Sequence, residues 1–183
     1  MTLNVVALSG SLHAPSKSSA LLAAITGALA AKTPIASTLV EVSRLPGLGS
    51  ALRRDQLEPE SLRALEQVES ADLLVVASPV YRASYTGLFK HLFDLAGQTA
   101  FTGKPVLVAA TGGSDQHSLV IEHQLRPLFG FFGAFTLPVS VYANDSDYTG
   151  YEITSPELLE TIDLAATSAA GLSLERQRKT RSR

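Results

Sequence analysis

The residues LNVVALSGSLHAPSKSS, at 3–19, combine an apolar run, a polar turn and the start of a helical pattern. Residues 3–9 form a near-continuous apolar run, which predicts a strand buried on both faces of a parallel sheet. Residues 10–19 form a polar turn, here called the first turn, and the Ala- and Leu-rich residues 18–31 predict a helix directly after it. A buried strand that turns straight into a helix is typical of α/β domains.

Strand and helix patterns continue to alternate along the chain. Further strands are predicted at 37–43, 72–78, 105–110 and 135–142, and further helices at 59–70, 84–97, 117–133 and 156–172. This alternation predicts a five-stranded parallel sheet with helices on both faces and right-handed crossovers. We expect the strand order 2-1-3-4-5, in which ligands bind beyond the carboxyl ends of the strands, beside the first and third strands.

Composition restricts the class of protein. The chain has 183 residues, of which 45% are hydrophobic, and this suits one domain with a sizeable core. It has no Cys, which excludes disulfides, thiolate metal sites and a Cys nucleophile, and which fits a reducing cytoplasm. No apolar run approaches the roughly 18 residues that span a bilayer, so we expect no membrane segment. The four His residues are scattered, and we expect no metal site.

Charge is distributed unevenly along the chain. The formal net charge is −2, yet residues 174–183 contain five basic residues and a single acidic one, Glu175. We therefore divide the chain into a folded domain at 1–173 and a basic C-terminal tail at 174–183. The tail is either a nucleic-acid arm or a solvated end. We favour the solvated end, and expect no nucleic-acid partner, because the tail has no aromatic residue for base stacking and the rest of the chain is acidic.

The first turn offers a binding site for a phosphate group. Ser11, Ser16 and Ser18 supply hydroxyls, Lys17 supplies a positive charge, and the helix start adds backbone N–H groups and the positive end of its dipole. The alternative is an ordinary Ser N-cap with a polar turn, but so many Ser beside a Lys exceed what capping requires. The dinucleotide fingerprint G-x-G-x-x-G and the glycines of a P-loop are both absent, which disfavours dinucleotides and nucleoside triphosphates.

Two later loops suit a flat ring. After the third strand come a stiff turn, an aromatic face and small residues, at Pro79, Val80, Tyr81 and Ala83. After the fourth strand, backbone N–H groups that suit a ring edge are exposed at Thr111, Gly112 and Gly113. The alternatives are a Pro-stabilised turn with a core Tyr and a flexible Gly-Gly connection. Together with the phosphate-binding turn, these loops outline a site for flavin mononucleotide (FMN).

The chain resembles the NADPH-dependent FMN reductase family, and within it the small reductases of two-component alkanesulfonate and methanesulfonate monooxygenases. The matching stretches are SGSLHAPSKSS at 9–19, ASPVYRASYTGLFKHLFD at 77–94, ATGG at 110–113, LRP at 125–127 and ANDS at 143–146. The resemblance implies a flavodoxin-like three-layer sandwich in the cytoplasm that uses FMN with NADPH or NADH. It also implies that Ser11, Ser16, Lys17 and Ser18 hold the FMN phosphate, that Pro79, Val80, Tyr81 and Ala83 line the ring, and that Gly112 and Gly113 meet its edge.

One departure from the family pattern concerns His13, which stands where many members have Arg. The position loses a permanent positive charge, so we do not count His13 as a phosphate ligand.

Pro127 interrupts the predicted helix at 117–133. Its ring would clash with the carbonyl of His123, four residues earlier, so the helix is predicted to kink or bulge there. The resemblance implies a π-bulge near the flavin and at a tetramer interface, occupied by Tyr in alkanesulfonate reductases and by His in the methanesulfonate branch. His123 therefore has a flavin or interface role, or it is an imidazole without a chemical role. We assign no certain catalytic residue, because the cofactor carries the hydride chemistry.

The resemblance further implies that reduced FMN passes to a partner monooxygenase and that the protein is a homodimer or homotetramer. A run of aromatic residues favours subunit contact, with core packing as the alternative, at Phe129, Phe131, Phe132 and Phe135. Two rival functions are an FMN-bound NAD(P)H:quinone, azo-dye or chromate reductase and a flavodoxin-type electron carrier. Such carriers tend to be strongly acidic near the flavin, whereas this chain is only mildly acidic.

Overall fold

A computed structural model describes the backbone of residues 2–181 and the side chains of residues 2–172. Its main sheet contains the strands β1 (Leu3–Ser9), β2 (Ile35–Glu41), β3 (Leu73–Pro79), β4 (Pro105–Gly112), β5 (Phe135–Thr136) and β6 (Val141–Asn144). The strands are parallel in the order β2-β1-β3-β4-β5, and β6 also pairs with β4. The predicted order 2-1-3-4-5 is confirmed, and the fold is a flavodoxin-like sandwich.

Helices cover both faces of the sheet. They are α1 (Lys17–Ala30), α2 (Pro59–Ser70), α3 (Gly87–Asp94), α4 (Arg126–Phe131) and α5 (Pro156–Arg181). On one face α1 and α5 pack through Leu21, Ile25 and Ile162, and on the other α2, α3 and α4 pack through Leu65, Phe89 and Phe129. The three layers place the carboxyl ends of β1, β3 and β4 at one edge of the molecule.

The apolar run in β1 is explained by burial on both faces. Val6 and Leu8 belong to the core beneath α2 and α3, whereas Val5 and Ala7 belong to the core beneath α1 and α5. Alternate residues of a strand point to opposite faces, so a strand at the centre of the sandwich needs apolar residues at every position.

The last strand differs from the prediction, because 135–142 is not one continuous strand. Phe135 lies opposite Pro105, whereas Val141 lies opposite Ala109. Six residues of the edge segment therefore lie beside only four residues of β4, so regular pairing is interrupted between them. The break falls at Pro138, which has no N–H for the ladder. Arg126 donates to the freed carbonyls of Leu137 and Pro138 at 2.8 and 3.0 Å.

Several element boundaries differ from those predicted from the sequence. The predicted helix at 84–97 is shorter. The predicted strand at 37–43 lies instead at Ile35–Glu41 and is followed by a 3₁₀ turn at Val42–Arg44, and two more 3₁₀ turns lie at Leu48–Ser50 and Arg54–Gln56. The segment between β6 and α5 contains a 3₁₀ turn at Asp145–Asp147 and a hairpin of β7 (Tyr148–Thr149) and β8 (Glu152–Ile153).

The final helix, α5, starts at the predicted residue but continues past 172 to Arg181. The side chains of the basic tail lie outside the described residues, so its solvated role stays a prediction. Within residues 2–181, no helix has the length and apolar character that crossing a membrane requires.

Candidate functional site

The three loops singled out from the sequence converge on one cavity at the carboxyl edge of the sheet. This carboxyl-end cavity has a volume of about 420 Å³, within the range of small-molecule sites. It is lined by ten of the predicted residues: Ser11, Ser16, Lys17, Ser18, Pro79, Val80, Tyr81, Thr111, Gly112 and Gly113. Ala83 is the exception, because it lines an adjoining pocket that shares Val80 with the cavity.

The first turn leads into the N-terminus of α1. Ser16 is the N-cap, and its hydroxyl accepts a hydrogen bond from the backbone N–H of Ser19 at 3.0 Å. The capping alternative is therefore realised for Ser16, while the cavity-lining Lys17 and Ser18 open the first helical turn. The first N–H groups of a helix have no partner within it, so this end of the cavity suits an anion.

Gly10 is required by close packing rather than by an unusual backbone angle. A Cβ at this position would lie 2.9 Å from both Phe89 Cδ2 and Ser78 Oγ. The carbonyl of Gly10 accepts a hydrogen bond from the Thr86 hydroxyl at 2.6 Å. Thr86 also caps α3 by accepting from the N–H of Phe89, so one buried side chain ties the first turn to the loop after β3.

The loop after β3 makes a tight turn at Tyr81–Ser84. Arg82 and Ala83 both have positive φ, at 52° and 68°. The turn is closed by reciprocal backbone hydrogen bonds between Tyr81 and Ser84, at 2.8 and 3.2 Å. Two positive-φ residues between paired residues are the geometry of a type I′ turn. This turn holds Tyr81 at the wall of the carboxyl-end cavity, with its side chain half exposed.

The loop after β4 is more constrained than a flexible Gly-Gly connection. Gly112 is the last residue of β4, and a Cβ there would lie 2.3 Å from the Tyr142 hydroxyl oxygen. That hydroxyl donates to the carbonyl of Ser114 at 2.5 Å. The hydroxyls of Ser18 and Thr111 are also hydrogen-bonded at 2.8 Å, which joins this loop to the first turn.

The positive charge that Lys17 brings to the first turn is paired with a carboxylate. Lys17 Nζ lies 2.7 Å from Asp145 Oδ1 and 5.2 Å from the ring centroid of Tyr148. Burial, together with Asp147 and Asp145, raises the pKa of Tyr148 well above its usual range. Burial, together with Asp115, Asp145 and Asp147, also raises the pKa of Tyr142, so both phenols are neutral hydrogen-bonding groups at physiological pH.

The segment before Pro127 forms the predicted irregularity. A π-helix at Ile121–Leu125 leads into α4, in which Pro127 is the second residue. The prediction of a kink or bulge is confirmed. His123 lies on this π-helix and lines the adjoining pocket of about 200 Å³ together with Ala83, His117 and Gln124. Its chemical role stays a prediction.

The aromatic run after Pro127 does not form one patch. Phe129 and Phe132 are buried in the core, whereas Phe131 is 69% exposed and Phe135 is 48% exposed. Phe131 and Phe132 line a groove between α3 and α4 that also contains Tyr85, Phe93 and Leu128. Core packing is therefore confirmed for Phe129 and Phe132, and burial of Phe131 and Phe135 against a second subunit stays a prediction.

Two features of the cavity were not assigned from the sequence. Asp145 and Tyr151 line it from the segment after β6, and Thr86, which is not part of the lining, holds the carbonyl of Gly10 before the first turn. The ANDS stretch contained Asp145, but nothing local indicated that it pairs with a Lys 128 positions earlier. His13, which we did not count as a phosphate ligand, also lines the cavity.

Known proteins match this chain over nearly its full length. A sequence model of the NADPH-dependent FMN reductases matches residues 3–149. The NADH-dependent FMN reductase SfnF of Pseudomonas fluorescens is 52% identical over 93% of this chain and 91% of its own. The FMN reductase (NADPH) of Pseudomonas aeruginosa is 50% identical over 92% and 91%. A solved oxidoreductase from Corynebacterium diphtheriae gives a TM-score of 0.86 at 34% identity, over 95% of this chain and 98% of its own.

Proposed function

Because the chain belongs to the NADPH-dependent FMN reductase family, we propose that it oxidises NADH or NADPH and reduces FMN in the carboxyl-end cavity. The observation that carries this assignment is the convergence of three separate loops on that cavity. Hydroxyls, an ammonium group and a helix N-terminus lie at one end, and a Pro, a Tyr and two Gly lie at the other. This donor set fits a phosphate monoester attached to a planar ring.

At the phosphate end, Ser11, Ser16, Lys17 and Ser18 bind and orient the ligand. Backbone N–H groups at the start of α1 donate to phosphate oxygens, and the Lys17 ammonium supplies a full positive charge. The Ser18–Thr111 hydrogen bond, at 2.8 Å, keeps this end in register with the loop after β4.

At the ring end, Pro79, Val80 and Tyr81 form a wall, and Gly112 and Gly113 present backbone to the ring edge. These residues would hold the ring of FMN, which would supply the acceptor for the hydride of the nicotinamide. The chain's own contribution is to hold the two rings at reacting distance and to exclude water from between them. No side chain needs to act as an acid or base in this scheme.

We further propose that reduced FMN is released to a partner monooxygenase. Support comes from the resemblance to the reductases of two-component sulfonate monooxygenases. The two Pseudomonas relatives named above are both FMN reductases, which supports it as well. A homodimer or homotetramer would cover the exposed Phe131 and its groove. The lack of Cys supports a cytoplasmic location.

Steady-state kinetics test the proposed reaction. The purified protein is given NADH or NADPH with FMN, riboflavin or a quinone as the electron acceptor. We expect rapid nicotinamide oxidation with free FMN and no other protein, and a higher kcat/KM for FMN than for quinone. A preference for quinone would assign the chain to the quinone reductases instead. Failure to turn over free FMN would favour an electron carrier.

Lys17→Met tests the phosphate site. Removing one partly exposed charge-assisted contact to a phosphate costs about 1–2 kcal/mol, which is roughly a five- to thirtyfold rise in the Kd for FMN. Riboflavin lacks the phosphate, so its Kd is expected to stay within about twofold of the wild-type value. The matched control is Lys32→Met, because Lys32 pairs with Asp163 at the same 2.7 Å but lies outside the cavity. An equal loss of affinity for FMN and riboflavin would show that Lys17 does not bind the phosphate.

A further inference from the structure

The Lys17 ammonium already has an anionic partner at the mouth of the cavity. Asp145 Oδ1 lies 2.7 Å from Lys17 Nζ, and both residues line the carboxyl-end cavity with Ser11, Ser16 and Ser18. We propose that Asp145 is an internal competitor for the phosphate of FMN, which weakens FMN binding and shortens the time that reduced FMN stays bound. This inference rests on the proposed phosphate site at the first turn.

Asp145 is held in position by its own backbone turn. It opens the 3₁₀ turn Asp145–Asp147, which is closed by a capping box between Asn144 and Asp147. The Asn144 N–H donates to Asp147 Oδ2 at 2.8 Å, and the Asn144 side chain also donates to Asp115 Oδ1 at 2.7 Å. Among the described side chains, Lys17 donates a hydrogen bond to the Asp145 carboxylate. The carboxylate is therefore presented to Lys17 by a turn that does not depend on it.

A phosphate that enters the cavity must share Lys17 with this carboxylate or displace it. A phosphate monoester carries a charge of about −1.5 to −2 at pH 7, so the two anions repel each other at close range. The side chain of Asp145 is 66% exposed, and exposed ion pairs are weak, so displacement is feasible. The cost of displacement or repulsion is subtracted from the affinity for FMN and not from the affinity for riboflavin.

Asp145→Asn tests this competition by removing the charge and keeping the side-chain shape. We expect the Kd for FMN to fall about three- to tenfold, which is the effect of a half-solvated unit charge within a few ångströms. Riboflavin binding is expected to stay within about twofold, and the difference for FMN should shrink at high salt because exposed charges are screened. Flavin fluorescence titration gives each Kd, and Asp145→Ser provides a second variant without the carboxylate.

Asp163→Asn is the matched control, because Lys32 and Asp163 form a pair of the same length and similar exposure away from the cavity. The competition is refuted if Asp145→Asn leaves the FMN Kd within twofold, raises it, or tightens riboflavin equally. If Lys17→Met alone weakens FMN binding but not riboflavin binding, the proposed phosphate site is supported even where the competition by Asp145 is refuted.

Discussion

Thr86→Val is expected to destabilise the protein by removing a single hydroxyl at the junction of two site loops. Thr86 is buried, and its hydroxyl both donates to the Gly10 carbonyl at 2.6 Å and accepts from the Phe89 N–H at 3.3 Å. Losing the helix cap costs about 1 kcal/mol, and leaving the buried Gly10 carbonyl without its donor costs about 1–3 kcal/mol. Because the two losses share one atom and are not strictly additive, we expect a total of about 2–3 kcal/mol.

Urea unfolding followed by circular dichroism measures this loss of unfolding free energy. Thr86→Ser is the matched control, since it keeps the hydroxyl and loses only a buried methyl group worth about 0.8 kcal/mol. The reasoning is refuted if Thr86→Val stays within about 1 kcal/mol of the wild type or if Thr86→Ser is equally destabilised. The same bond holds the first turn against α3, so weaker FMN binding is expected in folded Thr86→Val.

Two further substitutions test local packing and charge. Gly112→Ala places a Cβ 2.3 Å from the Tyr142 hydroxyl and should lower the free energy of unfolding in urea by about 1–3 kcal/mol. Gly113→Ala, whose Cβ would lie 3.8 Å from its nearest atom, should lower it less. Equal losses of unfolding free energy would contradict this. Burial opposes ionisation of Glu69, but hydrogen bonds from Arg54 and the Gly97 N–H outweigh it and lower its pKa. The ionised Glu69 therefore stabilises the fold fully above pH ~4.3, and this stabilisation is lost as the pH falls through the lower folded pKa. Glu69→Gln should make the free energy of unfolding fall less between about pH 7 and 3 than it does in the wild type, whereas exposed Glu66→Gln should not. An equal fall in Glu69→Gln and wild type would contradict this.

The fold class and the strand order followed from local patterns. The apolar run in β1 is continuous because neighbouring residues such as Val5 and Val6 face two different helical layers. Burial on both faces therefore requires consecutive apolar residues, which the sequence shows directly. The break before Pro127 was also predictable, because a ring without an N–H disturbs the same helix in any context. Pro138 carried a similar signal within the last strand, and the prediction of one strand at 135–142 overlooked it.

The layered fold, the three loops and the family are predictable from local patterns, since strand runs, turn residues and motifs act within a few positions of each other. No local pattern predicts that Asp145 pairs with Lys17, 128 positions away, or that Thr86 donates to Gly10, 76 positions away. The same holds for Phe129, which is buried, and Phe131, which is exposed. The physical reason is that such contacts depend on strand register and helix packing, which bring distant residues to within hydrogen-bond range only after the whole chain has folded.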